Sequence, residues 1–398
     1  MGQYYVVDLE TSVKNRGDES VGSFKASPFH PENHIVLGGV RQEHAATTTH
    51  KMPGTFWSWP HKIPVPEDCD LLIGHNIGFD LLYLIKDSHE WRDWMRTGMI
   101  WDTMLAEYLI TGQEKKFASL DNCAEKYGGT LKDERIKEYW ENGMDTEDIP
   151  KVELAKYLIG DIDNTELVFL KQIEIAHEMG LLELIQTQME ARLATVEMEY
   201  NGMFFNRDAC NYAVATMEGH LNVLTTAIDT EFRDVFPTAA WGDINPKSNQ
   251  QLALYLFGGK LKYRGTEPVL DEDGQIKHYK TGPSKGQVKT RKCDKYHEIH
   301  GILVGSCWST KGKSGIYSTD NSVLENIRMN AVPKAAVEMA DKVLKMREVE
   351  KDLGTYFEGY SKLCWPTDSC IHPSYNHTQT WTGRLSCSSP NVQNSSHE

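Results

Sequence analysis

The sequence predicts an α/β domain followed by a mostly helical region, and three observations carry that expectation. Short apolar runs alternate with helical periods through the first third of the 398 residues. A long helical period then runs from Lys151 to Gly180. Beyond it the apolar spacing is again that of helices, interrupted by a Gly-rich and Lys-rich stretch between 258 and 318. Forty per cent hydrophobic and 25% charged residues is globular composition, with chain enough for two or three cores.

The elements follow in order. "YYVVDLE" reads as a buried strand, "HIVLGGV" as a second, and "DLLIGHN" as a third that runs into an amphipathic helical stretch from Phe79 to Lys86. "WDTMLAEYLI" and "SLDNCAEKYG" read as helices, the latter closed by Gly128. "LIQTQMEARLATVEMEYNG" is a helix ending at Gly202. "SNQQLALYLFGG" begins with Ser248 and Gln251 in capping-box spacing and stops at paired glycines. "KAAVEMADKVLKMREVEKDLGTYFEGYSKL" is entered through Pro333 as a first-turn proline. The Asp-Gly of "VLDEDGQIKHY" marks a tight hairpin between short strands.

A formal charge of −15 argues against non-specific binding of nucleic acid by the whole surface. Residues 258–318 break that average, with twelve Lys or Arg against six Asp or Glu, a local charge of +6. They are either a solvated insertion or a flexible basic tip that touches phosphates. The eight cysteines (69, 123, 210, 293, 307, 364, 370, 387) contain no CxxC pair, which fits reduced thiols and no disulfides. Cys293, His297, His300 and Cys307 have loosely zinc-like spacing; they are a metal site or free surface residues. With no signal-peptide pattern and no apolar run near the ~18 residues of a membrane span, a cytoplasmic location is expected.

Asp8 and Glu10 lie two apart on a strand, so both side chains leave one face and can converge on a metal. Asp80 follows near the start of a helix in "GHNIGFDLLYL". Tyr157 and Asp161, at i and i+4, share a helix face. A lone D-x-E or a Tyr-Asp pair is ordinary; four acidic groups and a phenol in the order strand, helix start, long helix have the makings of a two-metal phosphoryl-transfer site. Clustered carboxylates raise one another's pKa, so divalent cations must compensate them. Oxygen ligands without nearby His or Cys favour two Mg²⁺ or Mn²⁺ ions over zinc.

"VVDLET", "HNIGFD" and "YLIGDIDNTELV" resemble the three exonuclease motifs of the DEDD superfamily, tyrosine branch, in order and spacing across residues 1–180. The resemblance implies a ribonuclease H-like α/β domain over 1–182 that hydrolyses 3′-terminal phosphodiesters. Asp8 would bridge both ions, Glu10 and Asp161 would complete the first, Asp80 would hold the second through water, and Tyr157 would orient the attacking water. Asn76 would fix the strand-to-helix turn or approach substrate. Asp102 matches a family segment in which the aspartate is architectural.

The rest of the chain is similar to the family A DNA polymerases, the group that includes bacterial DNA polymerase I. "MEARLATVEMEYNGMFFN" resembles the helix entering the thumb, "NPKSNQQLALYLF" the thumb helix, "GIYSTDNSVLENI" the Tyr-Ser-Thr-Asp segment, and "MREVEKDLGTYFEGY" the helix leaving the thumb. "HPSYNHTQTWTGRLSCSSPNVQN" is similar to the first polymerase motif. That resemblance implies a thumb over 183–370 with its basic insertion at about 258–318, and the start of a palm over 371–398. It implies contacts to DNA from Ser248, Gln251, Arg384, Asn391, Gln393 and Asn394, beside the candidate contact at Asn76. A guanidinium at Arg384 suits the minor groove, whose acceptors occur in every base pair.

No palm aspartate motif and no fingers helix are found in these residues. The expectation is therefore half of a split polymerase, or a fragment of a longer one, with a separate palm-and-fingers chain as partner and a phage-like replication system in an infected host's cytoplasm as setting. Two other readings stand beside it: a non-catalytic DNA-binding subunit, and an RNA-trimming exonuclease of the DEDD type.

Overall fold

The computed structural model describes residues 3–13, 26–42, 55–58, 60–130, 134–365 and 367–394. The chain divides into two compact units, one of Met1–Asn206 with Tyr360–Glu398 and the other of Arg207–Gly359. Among the described residues no helix is long and apolar enough to cross a membrane.

The first unit is built on a five-stranded mixed sheet. Strand β1 (Tyr4–Thr11) is central, paired antiparallel with β2 (Ile35–Gln42), which pairs antiparallel with β3 (Thr55–Ser58). On its other side β1 runs parallel to β4 (Leu71–Gly74), and helices α1 (Gly78–Asp87) and α2 (His89–Trp94) lead to β5 (Met99–Asp102), parallel to β4. The order is β3-β2-β1-β4-β5. Tyr4, Val6, Val7 and Leu9 of β1 are all buried, as expected of a strand covered on both faces.

Helix α3 (Thr103–Ile110) follows directly on β5. The stretch expected to be one helix from Trp101 therefore starts as strand: Trp101 and Asp102 pair with Ile73 and Gly74, and the Asp102 carboxylate caps α3 by accepting from the amides of Met104 and Leu105. Then come α4 (Leu120–Tyr127), ended by Gly128 in the left-handed region, α5 (Glu134–Glu141), and the 28-residue α6 (Lys151–Glu178), roughly 42 Å long. Helix α6 lies across β1, β2 and β4.

Helix α7 (Leu182–Asn201) belongs to this unit, not to the thumb expected from 183 onward. Its Ile185, Met189 and Val196 are in the core of the sheet unit, a burial that stabilises by roughly 2 kcal/mol per side chain. The short strand β6 (Met203–Phe204) closes the segment.

The second unit has its own core, including Phe232, Phe236, Leu256, Ile327 and Met339. It comprises α8 (Arg207–Val235), α9 (Asn249–Phe257), a two-stranded ribbon of β7 (Gly259–Pro268) and β8 (Thr290–Ile299), α10 (Asn321–Asn330) and α11 (Lys334–Asp352). Pro333 is the N-cap of α11, one position before the first turn expected for it. The Asp273-Gly274 turn forms with Gly274 at positive φ and Leu270 bridging Ile276, but the long strands flank it on either side of 269–289. At the ribbon's base a Cβ on Gly301 would stand 2.2 Å from the backbone of Phe257 and Gly258, so only glycine fits.

After α11 the helix passes through a π-helical stretch (Leu353–Glu358) into α12 (Gly359–Leu363). The chain then rejoins the first unit, where β9 (Cys370–Ile371) pairs with β6, and β10 (Ser374–Asn376) pairs antiparallel with β11 (Ser386–Ser388). The boundary expected at 370 thus falls inside the unit, whose second part begins at Tyr360. All eight cysteines are free thiols. Ser395–Glu398 lie outside the described residues.

Candidate nuclease site and DNA-facing residues

Asp8 and Glu10 face Gly39 and Leu37 across the β1–β2 ladder, and the period of two puts both carboxylates on one side of the sheet. Asp161 comes to the same place from the middle of α6. The three offer carboxylate oxygens within 4.8 Å of one another; Asp8 is half-buried and the other two are buried. Among the described residues this is the one group of His, Cys, Asp or Glu side chains that can hold a metal ion.

Asp80, in the first turn of α1, stands outside that group and is 4% exposed. Burial pushes its carboxyl well above the usual carboxylate range, and the charge of Asp102 adds to this, while the backbone amides of Asp80 itself and of Leu9 pull it back. The influence of Leu9, which separates Asp8 from Glu10, sets the Asp80 carboxyl against β1. Tyr157, one turn before Asp161, is half-buried with its ring 5.7 Å from that of Trp140 in an edge-on contact.

Donor chemistry decides which ion suits the trio. Three carboxylates without thiolate or imidazole form a hard, anionic set that fits Mg²⁺ or Mn²⁺. Held this close without a cation, they would repel one another.

Asn76 takes φ 54°, a left-handed conformation tolerated by asparagine. Its N–H donates to Asp102 Oδ1 at 2.9 Å and its carbonyl accepts from Phe79 N at 3.0 Å, so its backbone forms the turn that launches α1. Its side chain lines a cavity of about 210 Å³ together with Phe79, Met104, Arg192, Tyr375 and Thr378.

Sequence reasoning missed the charged network behind this turn. Arg192 and Glu199 lie on the face of α7 that also buries Ile185, Met189 and Val196. Two charged residues at i and i+7 within an apolar stripe were the available signal. Burial pushes the Asp102 and Glu199 carboxyls up, and the Arg192 guanidinium offsets this in both.

The other expected contact residues fall in two places. In the second unit, Ser248 caps α9 by accepting from Gln251 N at 3.3 Å. The Gln251 side chain does not reach back to Ser248 as a full capping box would; its Oε1 accepts from Asn245 N and its Nε2 donates to Asp243 O. In the first unit, Arg384, Asn391, Gln393 and Asn394 are all exposed on the C-terminal segment, with Arg384 in the loop joining β10 to β11. Cys293, His297, His300 and Cys307 do not converge. Cys293 and His297 are four positions apart on the extended β8, about 13 Å, which corrects the zinc-like reading of their spacing.

Residues 297–397 match the family model described as DNA polymerase family A. The chain is 39% identical over 82 residues to the thermostable DNA polymerase I of Thermus thermophilus, and 37% identical over 84 residues to DNA polymerase I of Bacillus subtilis. Each of these matches covers 21% of this chain and 9% of the relative. Among solved structures, the chain is similar to the POL domain of Pol1 from M. smegmatis in complex with DNA primer-template and dNTP. That likeness has a TM-score of 0.59 at 15% identity, over 99% of this chain and 52% of the other. The chain thus spans about half of that structure; its C-terminal quarter is similar in sequence to the family A DNA polymerases, and the chain is similar in fold to that POL domain.

Proposed function

We propose that this chain is a 3′–5′ DNA exonuclease of the ribonuclease H-like type, joined to the primer-template-gripping part of a family A DNA polymerase. The observation that carries the reading is the convergence of Asp8, Glu10 and Asp161 within 4.8 Å, with Asp80 buried against the same strand. The likeness of residues 297–397 to the family A DNA polymerases supports DNA over RNA as the substrate.

Asp8, Glu10 and Asp161 would hold one divalent ion, and Asp80 with Asp8 would hold a second. When bound, such ions supply a water of lowered pKa and charge stabilisation at the leaving 3′ oxygen. The protein's own contribution is positional. Burial of Glu10, Asp80 and Asp161 keeps bulk water from screening their charges, and the Tyr157 phenol, one turn from Asp161, is set to hold the attacking water by a hydrogen bond. Arg384 and the exposed amides of Asn391, Gln393 and Asn394 offer donors to a primer-template duplex, and the basic ribbon of the second unit, taken by itself, offers cations to nucleic-acid phosphates. Palm and fingers residues would lie outside residues 1–398.

The test is shortening of a 5′-labelled single-stranded DNA by the purified chain with Mg²⁺, and its loss in Asp8→Ala. Cleavage surviving in that variant, or faster turnover of RNA than of DNA, would overturn the reading. Mixing with a palm-bearing polymerase protein and deoxynucleotides tests for restored synthesis.

A further inference from the structure

Arg192 is buried where a basic side chain is least expected, against the N-terminal end of a helix, where the dipole disfavours a cation. Its side chain is 9% exposed. A Cβ on Gly78, the first residue of α1, would stand 1.8 Å from Arg192 Nη2, so the guanidinium fills the space that glycine leaves. Two carboxylates flank it, Asp102 at 3.9 Å and Glu199 at 3.6 Å. Its Nη1 also donates to the carbonyl of Tyr375 at 3.4 Å, and Glu199 accepts from the amide of Tyr375 at 2.6 Å.

These contacts link two segments that the proposed function uses separately. On one side, Asp102 holds the left-handed Asn76 turn by its backbone N–H, and Gly78 is seated under the guanidinium; Asp80 is two residues further on. On the other side, Tyr375 lies in β10, and the loop from β10 to β11 carries Arg384.

We propose that Arg192 is a positioning residue for the Asp80 carboxylate, clamping the Asn76–Asp80 turn of the nuclease site to the β10–β11 hairpin. The proposal rests on the nuclease reading above. Arg192 touches neither the Asp8–Glu10–Asp161 trio nor, in this reading, the substrate; it acts through Asp102 and through its seat on Gly78. The ion associated with Asp80 should therefore depend on Arg192, while the ion held by the trio should not.

The experiment compares wild type, Arg192→Met, Arg192→Lys and Gly78→Ala in the full chain. Mn²⁺ binding is counted by electron paramagnetic resonance without DNA, and kcat and KM are measured on single-stranded DNA. Wild type should bind two Mn²⁺ ions. Arg192→Met should keep one and weaken the other about 10- to 100-fold, with a similar fall in kcat and little change in KM, the usual cost of removing an outer-sphere support of a metal ligand. Gly78→Ala, which displaces the guanidinium without removing it, should reproduce the effect, and Arg192→Lys should restore part of it. Should Arg192→Met not fold, Gly78→Ala decides. Two Mn²⁺ ions with unchanged kcat in a folded variant would overturn the proposal, leaving Arg192 a merely stabilising role. Failure of wild type to bind Mn²⁺ and to cut DNA would overturn the nuclease reading, and this proposal with it.

Discussion

Arg41 on β2 donates from Nη2 to Glu166 Oε2 on α6 at 2.5 Å, while its Nη1 donates to Asp163. Tyr4 adds a bond to Glu166 Oε1 at 3.1 Å. These bonds fasten α6 to the sheet in the turn after Asp161, so the helix that carries this carboxylate is held by charge as well as by apolar packing. Arg41→Met would leave Glu166 buried without its cation, and removing one partner of a buried pair typically costs about 3–5 kcal/mol. Urea unfolding followed by circular dichroism should show a loss of that order. A loss below about 0.5 kcal/mol, the ordinary value of a surface pair, would contradict the buried clamp.

Ser248→Ala removes the hydroxyl that accepts from Gln251 N and should lower the stability of the second unit by about 1 kcal/mol. Gln251→Ala should cost a similar amount, since its amide joins Asn245 N to Asp243 O outside the helix. Thermal unfolding of the two variants checks both. Duplex affinity measured on the same samples separates a cap that only supports the fold from one that also meets DNA.

His377 accepts from or donates to Thr195 Oγ1 at 2.8 Å, and burial, helped by the charge of Arg192, lowers its pKa to about 4. In the unfolded chain its value is about 6.5. The unfolded state therefore takes up this proton first as pH falls. The stability contributed by the neutral ring is complete above about 6.5 and is lost as pH drops to about 4. Unfolding midpoints measured across that window should fall more steeply for wild type than for His377→Gln. The difference between the two isolates this titration from Glu199 and Asp102, which line the same cavity.

Lys277, Lys280, Lys285 and Lys289 are exposed between the two ribbon strands, whereas Lys262 and Arg291 are paired with Asp294 and Glu267. Replacing the four lysines by alanine should weaken duplex binding and flatten its salt dependence. The slope of log K against log salt should fall by about 0.9 for each phosphate contact removed. An unchanged slope would mean that 258–318 is a solvated insertion.

Much of the sheet unit was legible because its segments obey one period each: β1, β2 and β4 are apolar runs, and α1, α4, α6 and α7 carry clean caps or apolar stripes. Strand period put Asp8 and Glu10 on one face and helix period put Tyr157 beside Asp161, while the meeting of Asp161 with the β1 carboxylates was implied by the resemblance and by no period. The ribbon escaped because β8 is exposed at all but Cys293 and Ile299, and the less exposed positions that alternate along β7 include Gly259, Gly265 and Glu267, so no apolar period marks either strand. The double service of Asp102, as the last residue of β5 and the cap of α3, was not legible because its segment reads as one helix from Trp101. The clamp around Arg192 was illegible because its partners come from positions as far apart as 78, 102 and 375, and only folding brings them together.

The pairing of Met203 and Phe204 with Ile371 and Cys370 has a consequence for how the chain is made. A ribosome delivers β6 long before its mate. At about 5–20 residues per second the wait is roughly 10–30 s, during which all of Arg207–Gly359 emerges. The nascent first unit must spend that interval with one ladder unmade and with the Arg192 guanidinium lacking the Tyr375 carbonyl. Its last contacts close only after the excursion has been synthesised.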